Sequence, residues 1–239
     1  MNDIIAVVPA RGGSKGIKRK NLKILGTEPL INYTLMTLMR IKKINRIIVS
    51  TEDEEIKNHC KKINKKIEVL DRPKELADDK TPLTSVVHHV SQQLKQNNEH
   101  HNFILQVAAT CPFVKVKTYN KIIKILTTKK SNCAVTLKQI EHEHPYRAKV
   151  LKKNGTFHQL IKNINVEKFI SRQDLPKFFC TSGAIYGRSY NLLKKFTHKD
   201  FCLGNKPYGV IVDDIEAVNI DRPIDFDFAK FIVENKINK

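Results

Sequence analysis

A loop rich in glycine and basic residues near the start of the chain has the residue types that bind phosphate. It follows the apolar run 4–8 directly and reads PARGGSKGIKRKN over residues 9–21. Because Gly12, Gly13 and Gly16 have no Cβ, positive φ is expected there, with backbone N–H groups turned toward one anion. The arginines and lysines of the loop add positive charge. The loop is therefore predicted to hold phosphate groups, and the alternative is a basic surface loop.

The spacing of this loop separates it from two well-known phosphate-binding loops. It matches neither GxxxxGK[ST] nor GxGxxG, so a Walker-type loop and a Rossmann dinucleotide turn are both disfavoured. Its position still favours binding, because it follows the first predicted strand of an α/β sheet, and ligands collect at the carboxyl ends of such strands.

Polar residues occur at three further places next to predicted strands. The segment DRPKELADD over 71–79 follows a strand, and the alternative to a binding role is capping of the next helix. Gln106 interrupts an apolar strand, where a buried carboxamide is costly unless it meets a ligand or a partner. The segment 213–225 is rich in carboxylates, and Asp225 is expected to cap the helix that follows.

The composition limits the possible partners. The net charge is +19, from 43 Lys and Arg against 24 Asp and Glu, which suits nucleic acid, an anionic membrane surface or small polyanionic substrates. The lysines are spread along the chain, which disfavours a nucleic-acid-binding stripe. No long apolar run predicts a membrane span. The five cysteines form no CxxC pair, so neither disulfides nor a zinc ribbon are expected, and a cytoplasmic protein is predicted.

The elements that must position these residues alternate along the chain. Helices are predicted over 29–41, 53–62, 82–96 and 115–129. Strands are predicted over 46–51, 67–70, 103–107 and 133–137. This alternation is typical of an α/β fold with a doubly wound, mostly parallel sheet and helices on both faces.

The alternation stops over about 141–180, where the sequence is polar and weakly periodic. This segment is predicted to be an inserted arm, containing a hairpin and serving as a dimerisation element. Strands resume at 184–187 and 208–212, and a helix over 223–235 closes the chain. The prediction is a single domain over 1–239.

Five segments together are similar to one enzyme family. The opening loop resembles ARxGSKGxxxKN, the N-terminal signature of the CMP-sialic acid synthetases, or acylneuraminate (nonulosonate) cytidylyltransferases. The segment 72–79 resembles RPxELAxD, and 104–113 resembles LLQPTSPLR with Val107 in place of Pro. RQDLP and SGAIY resemble RQxxP…NGAIY with Ser182 in place of Asn. The segment around Asp221 resembles DIDTxxD with Asn219 in place of the first Asp.

The resemblance implies a Rossmann-like nucleotidyltransferase that transfers CMP from CTP to the anomeric hydroxyl of a sialic-type nonulosonic acid, releases pyrophosphate, uses Mg²⁺ and forms a homodimer. It assigns catalysis to Arg11, Lys15, Lys20 and Asp221. It assigns nucleotide binding to Arg11, Gly12, Gly13, Ser14, Asn21 and Arg72. It assigns sugar binding to Gln106, Arg172, Tyr186 and Phe201. It assigns Mg²⁺ to Asp221 and Asn219, with Asp213 and Asp214 as candidates to supply the missing charge.

Two alternatives stay open. The first is a related 3-deoxy-manno-octulosonate cytidylyltransferase, against which the Arg172 motif argues because it belongs to the sialic branch. The second is a basic nucleic-acid-binding protein, which explains the charge but neither Gln106 nor the carboxylate-rich segment. Neither a nucleic acid nor a membrane is therefore expected as a partner. The sequence leaves open which nonulosonic acid is the acceptor.

Overall fold

A seven-stranded mixed sheet forms the centre of the protein in the computed structural model, which describes residues 3–128, 131–197 and 201–237. The strands are β1 (Ile4–Pro9), β2 (Ile24–Leu25), β3 (Glu28–Pro29), β4 (Arg46–Thr51), β5 (Ile67–Asp71), β6 (Phe103–Val107), β7 (Cys133–Ile140), β8 (Lys149–Leu151), β9 (Phe157–Gln159), β10 (Phe178–Ser189) and β11 (Tyr208–Ile211). The helices are α1 (Leu30–Met39), α2 (Glu54–Ile63), α3 (Leu83–Gln96), α4 (Val116–Thr128), α5 (Tyr190–Leu193) and α6 (Pro223–Glu234).

The order of strands in the large sheet is β11-β7-β10-β6-β1-β4-β5. Strand β1 pairs in parallel with β4 and β6, β4 with β5, and β7 with β11, whereas β10 runs antiparallel to both of its neighbours. The predicted doubly wound, mostly parallel sheet is therefore confirmed. Because β1, β4, β5 and β6 are parallel, the loops that follow them meet at one edge of the sheet.

Both faces of the sheet are covered by helices. Leu35 of α1, together with residues of α2 and α4, packs on the face that includes Ala6. Val87 of α3 and Leu193 of α5 pack on the opposite face, which includes Val7. This two-sided burial explains why β1 is apolar throughout instead of alternating.

The central strands and helices end close to the predicted positions, whereas β7 and β10 are longer than expected. The two strands pair antiparallel out to Ile140 and Phe178, so that residues 141–177 form the connection between them. This connection contains the β8–β9 hairpin and three short 3₁₀ turns. The predicted end of the fourth helix, Lys129, lies outside the described residues.

Helix α6 closes the fold against the opening loop. Phe226 of α6 packs in a cluster with Ile17 of that loop and Ile220 of the carboxylate-rich segment. Its first turn is capped by Asp225, whose Oδ2 accepts the Arg222 amide at 2.8 Å, as predicted for this residue. Within the three described stretches, no helix combines the length and apolar character needed to span a bilayer.

Candidate active site

A cleft of about 440 Å³ lies at the edge where the four parallel strands end. It is walled by the opening loop, the loops after β5 and β6, strand β10 and the carboxylate-rich segment. Most of the predicted site residues line it, namely Arg11, Ser14, Lys20, Asn21, Arg72, Gln106, Tyr186, Phe201, Asn219 and Asp221. Those that do not line it are Gly12, Gly13, Lys15 and Arg172.

The glycines of the opening loop differ from the prediction in their backbone conformation. Gly12, Gly13 and Gly16 do not have positive φ, and the left-handed residue of the loop is Arg19, with φ 55°. A Cβ on Gly12 would lie 2.2 Å from Asp53 Oδ2, and one on Gly16 would lie 2.2 Å from the Asp221 carbonyl oxygen. The predicted positive φ is therefore wrong at these positions, because two of the glycines are needed for close approach to carboxylate-bearing segments.

The Gly12 N–H group, which was predicted to bind phosphate, is already bonded within the protein. It donates a hydrogen bond of 2.8 Å to Glu52 Oε1 at the end of β4. The buried Asn21 side chain donates Nδ2 to the Arg11 carbonyl at 2.9 Å. In this structure both groups fix the shape of the loop, and Arg11, Ser14 and Asn21 line the cleft beside Lys20.

One carboxylate, that of Asp79, binds two cations of the opening loop. Its oxygens lie 2.5 Å from Arg11 Nη2 and 2.5 Å from Lys15 Nζ. The hydrogen bond to Lys15, followed by that to Arg11, lowers the pKa of Asp79, and the same bond raises the pKa of Lys15. Lys15 does not line the cleft, and its side chain is 86% exposed. The two cations are thus already arranged around a single anionic group.

Lys20 joins the opening loop to the carboxylate-rich segment, 201 positions away in the chain. Its Nζ donates to Asp221 Oδ1 at 2.8 Å and to the Ile220 carbonyl at 2.7 Å. Asn219 Nδ2 donates to the other Asp221 oxygen at 2.8 Å. The Asp221 side chain remains 61% exposed, so its carboxylate is held in place while still accessible from the cleft.

The oxygen donors near Asp221 decide whether a divalent cation fits. Asp213 does not restore the missing charge, because it does not line the cleft; it binds Lys115 Nζ at 2.9 Å and accepts the Glu216 amide at 2.8 Å. Asp214 lines a neighbouring surface cavity together with Asn219 and Asp221. No cluster of three or more His, Cys, Asp or Glu suited to a metal occurs among the described residues. One carboxylate with one amide oxygen still fits Mg²⁺, which usually takes one or two carboxylates plus substrate phosphates and water.

Arg72, which directly follows β5, lines one wall of the cleft. Its side chain is only 2% exposed, and Nη2 donates to the Ser50 carbonyl at 2.6 Å. Its Nε has no hydrogen-bond partner within the described chain and lies 3.9 Å from Glu52 Oε2. Burial lowers the pKa of Arg72, and Glu52 opposes that effect. Arg72 therefore lines the cleft, while its buried Nε lies beside Glu52 within the wall.

The opposite wall is formed by β6 and β10, where Tyr186 pairs directly with Gln106. The pairing of β10 with β7 shifts between Thr181 and Tyr186, and Gly183 in this bulge has φ 80°. Such bulges redirect side chains next to binding sites. Here the bulge places Gly183 and Tyr186 along the same wall of the cleft.

Arg188 is a cleft residue that the sequence analysis missed. It is 1% exposed and donates to Gln106 Oε1 at 3.0 Å, to the Phe201 and Cys202 carbonyls at 2.9 Å each, and to Thr84 Oγ1 at 3.3 Å. It lies two residues after Tyr186, hence on the same face of β10. A charge at that spacing, directly after the predicted strand 184–187, was the available signal. Glu52, which directly follows β4, was also missed, and Asp79 was named only as part of the segment 71–79 and not as a site residue.

Arg172 is the predicted site residue that lies farthest from the expected arrangement. It belongs to the arm, pairs with Glu141 and lines a small pocket with His144 and Pro176. The structure therefore does not bring Arg172 to the cleft of its own chain, because β7 and β10 carry the arm beyond the sheet.

Comparisons with known proteins identify similar sequences and folds. The model of the family described as "Cytidylyltransferase" matches residues 5–237. A pseudaminic acid cytidylyltransferase from Campylobacter jejuni is 28% identical, over 95% of each chain. A CMP-N,N'-diacetyllegionaminic acid synthase from Legionella pneumophila is 26% identical, over 97% of this chain and 96% of the relative. The solved structure of a CMP:2-keto-3-deoxy-manno-octonic acid synthetase complexed with CTP has a TM-score of 0.71 at 14% identity, over 98% of this chain and 100% of that one. That last similarity shows the fold.

Proposed function

The chain belongs to the cytidylyltransferase family, and we propose that it transfers CMP from CTP to the anomeric hydroxyl of a nonulosonic acid and releases pyrophosphate. The observation that carries this proposal is the cleft itself, which joins a cationic end at Arg11 and Lys20 to a buried polar end at Gln106 and Tyr186. Relatives named for pseudaminic and legionaminic acid support an acceptor of the nonulosonic class.

The cationic end suits the triphosphate. Arg11 and Lys15 already surround the Asp79 carboxylate, and phosphate oxygens of CTP would replace that carboxylate with a larger negative charge. Lys20 lies next to Asp221, where charge develops as pyrophosphate leaves. Arg72 and the adjoining residues 81–84, which all line the cleft, form the wall that would bind the cytosine.

The polar end suits the sugar acid. Gln106 and Tyr186 provide hydrogen-bonding groups, and Phe201 provides an exposed ring at the rim. The anomeric hydroxyl then attacks the α-phosphorus in line with the departing pyrophosphate, so the reaction needs positioning and charge stabilisation but no protein nucleophile.

Asp221 would hold Mg²⁺, with Asn219 as a neutral second oxygen donor. When bound, the ion supplies positive charge to the phosphate oxygens. Lys20 keeps the Asp221 carboxylate oriented at the cleft before substrates arrive. We expect the reaction to take place in the cytoplasm, and five free cysteines in the described chain agree with a reducing compartment.

We further propose a homodimer in which the arm supplies Arg172 to the cleft of the second copy. The arm exposes several large apolar side chains, as an element that is covered by a partner would, namely Leu151, Phe157, Leu160 and Ile170. A mixture of Arg172→Ala and Lys20→Ala proteins, refolded together, should regain activity that neither variant has alone. Activity no higher than the sum of the two would contradict a shared site.

Pyrophosphate release tests the proposed function. Purified protein with CTP and Mg²⁺ is given sialic, legionaminic and pseudaminic acids and 3-deoxy-manno-octulosonate in turn, with ATP, GTP and UTP as nucleotide controls. Release that depends on CTP and on one of the three nonulosonic acids is expected. Turnover of the octulosonate alone would move the acceptor to the related class. Folded protein that is inactive with every acid would overturn the proposal.

A further inference from the structure

Arg188 lines the cleft and has no role in the proposed reaction as described above. It is among the largest fully buried side chains, and it donates to Gln106 on β6, to Thr84 on α3 and to the carbonyls of Phe201 and Cys202. Its guanidinium is planar with a fixed fork of donors, so bonds to three separate segments hold it in one orientation.

This orientation determines how the Gln106 carboxamide faces the cleft. Arg188 Nη1 donates to Gln106 Oε1 at 3.0 Å, and Gln106 is itself 5% exposed. A guanidinium has donors only, so it can bind the oxygen of the amide but not its NH₂ group. With Oε1 bound to Arg188, the two N–H donors of Gln106 remain for another oxygen, and Gln106 lines the cleft.

We infer that Arg188 is a positioning residue that makes Gln106 a hydrogen-bond donor toward an oxygen of the acid acceptor, of which a carboxylate oxygen is the strongest partner. The inference rests on the proposed function. Through the Phe201 and Cys202 carbonyls, Arg188 also holds the Phe201 segment at the same end of the cleft. The bond of Arg188 to Thr84, in the wall proposed for the cytosine, is the longest of these hydrogen bonds at 3.3 Å, so the expected effect of Arg188 is larger on the acceptor than on CTP.

Kinetics of Arg188→Met and Arg188→Lys test this separation. With Arg188→Met, the KM for the acid should rise about tenfold, which corresponds to the loss of one charge-assisted hydrogen bond, while the KM for CTP stays within about twofold. Lysine cannot form the fork, so Arg188→Lys should fall between the wild type and Arg188→Met. The matched control is Arg46→Met, since Arg46 is a part-buried arginine bound to Glu68 and Glu99 at the other end of the sheet. It should lower the Tm without changing the KM for the acid.

A double-mutant cycle shows whether Arg188 acts through Gln106. Arg188→Met introduced into Gln106→Ala should raise the KM for the acid by less than about twofold more, because the group that it positions is gone. Full additivity of the two effects, or an equal rise in the KM for CTP, would overturn the inference.

Side-chain amide resonances give a readout that does not depend on activity. In protein labelled with ¹⁵N-glutamine, the Gln106 NH₂ signals are assigned by their loss in Gln106→Glu. They should shift in Arg188→Met and stay in place in Arg46→Met, with CTP binding by calorimetry confirming that both variants are folded. An unchanged Gln106 signal in Arg188→Met contradicts the inference even if no acid is turned over, whereas a shifted signal with no turnover counts against the proposed function alone.

Discussion

The two ends of the cleft hold their positive charges in different ways. At the cationic end, which is proposed for the nucleotide and is called the nucleotide end below, Arg11 and Lys15 bind the exposed carboxylate of Asp79, and Lys20 binds Asp221. At the polar end, which is proposed for the acceptor and is called the acceptor end below, Arg188 is fully buried and its hydrogen bonds reach carbonyl, amide and hydroxyl oxygens.

This difference separates a replaceable arrangement from a fixed one. Exposed ion pairs contribute about 0–1 kcal/mol each, so a triphosphate can displace the Asp79 carboxylate at little cost, while Lys20 keeps Asp221 in place. The acceptor end is set by the register of β6 with β10 and by a buried hydrogen-bond network, which has no comparable freedom. We expect the nucleotide end to rearrange on binding and the acceptor end to be ready before binding.

The largest effect should follow from separating Lys20 and Asp221. Lys20→Ala removes the cation that orients Asp221, and Asp221→Ala removes the carboxylate proposed to hold Mg²⁺. Each should lower kcat by about 100- to 1,000-fold, because charge stabilisation in the transition state is lost. Steady-state kinetics with saturating CTP and acid measures this.

The matched control is Lys18→Ala, an exposed lysine of the same loop. It should keep kcat within about twofold of the wild type, as expected for a surface substitution. Near-normal turnover in both Lys20→Ala and Asp221→Ala would contradict the assignment of this end of the cleft to the triphosphate.

A smaller effect is expected from Arg72, which is buried but belongs to the nucleotide end. Arg72→Lys keeps the charge and removes the planar fork that bonds the Ser50 carbonyl and that is proposed to bind the cytosine. The KM for CTP should rise about tenfold, with the KM for the acid unchanged. If the acid KM rises instead, Arg72 has been placed at the wrong end.

Asp79 offers a change in the opposite direction. Asp79→Asn removes the negative charge that Arg11 and Lys15 now bind. CTP binding without acid, measured by calorimetry, should tighten by about two- to fivefold at low salt, and less at high salt. Asp78→Asn is the control on the adjacent cleft residue. Weaker CTP binding in Asp79→Asn would show that Asp79 supports the nucleotide instead of standing in its place.

The smallest effect concerns Cys111, a buried residue whose thiol donates to Asn219 Oδ1 at 3.7 Å. Burial raises the pKa of Cys111 to about 12. The thiol is therefore neutral at pH 8, and iodoacetamide should leave both Cys111 and the activity intact while it labels the less buried Cys180. Peptide mass spectrometry of the labelled protein measures this, and labelling of Cys111 as fast as Cys180 would show that the interior around Cys111 opens to solvent.

The sequence predicted the sheet, the family and most of the cleft, for identifiable physical reasons. Apolar periodicity specifies buried strands and helices, and the loops after parallel strands must converge, so Arg72 and Gln106 could be placed at one edge in advance. The family resemblance is confirmed by the matching family model and relatives. The apolar periodicity of the sequence does not predict which distant segments form hydrogen bonds with each other. The bonds of Arg188 to Gln106 and of Gly12 to Glu52 depend on tertiary register, as do the close approaches of Gly12 and Gly16.

The most direct test of the two-ended cleft follows the anomeric oxygen of the acid, which is proposed to attack the α-phosphorus of CTP. The enzyme is given CTP, Mg²⁺ and the nonulosonic acid that supports pyrophosphate release, labelled with ¹⁸O at its anomeric hydroxyl, and the product is examined by mass spectrometry. The account predicts a CMP ester that retains the label, because the sugar oxygen attacks the α-phosphorus. Free CMP with the label left in unreacted acid would contradict it, since water and not the sugar would then be the acceptor.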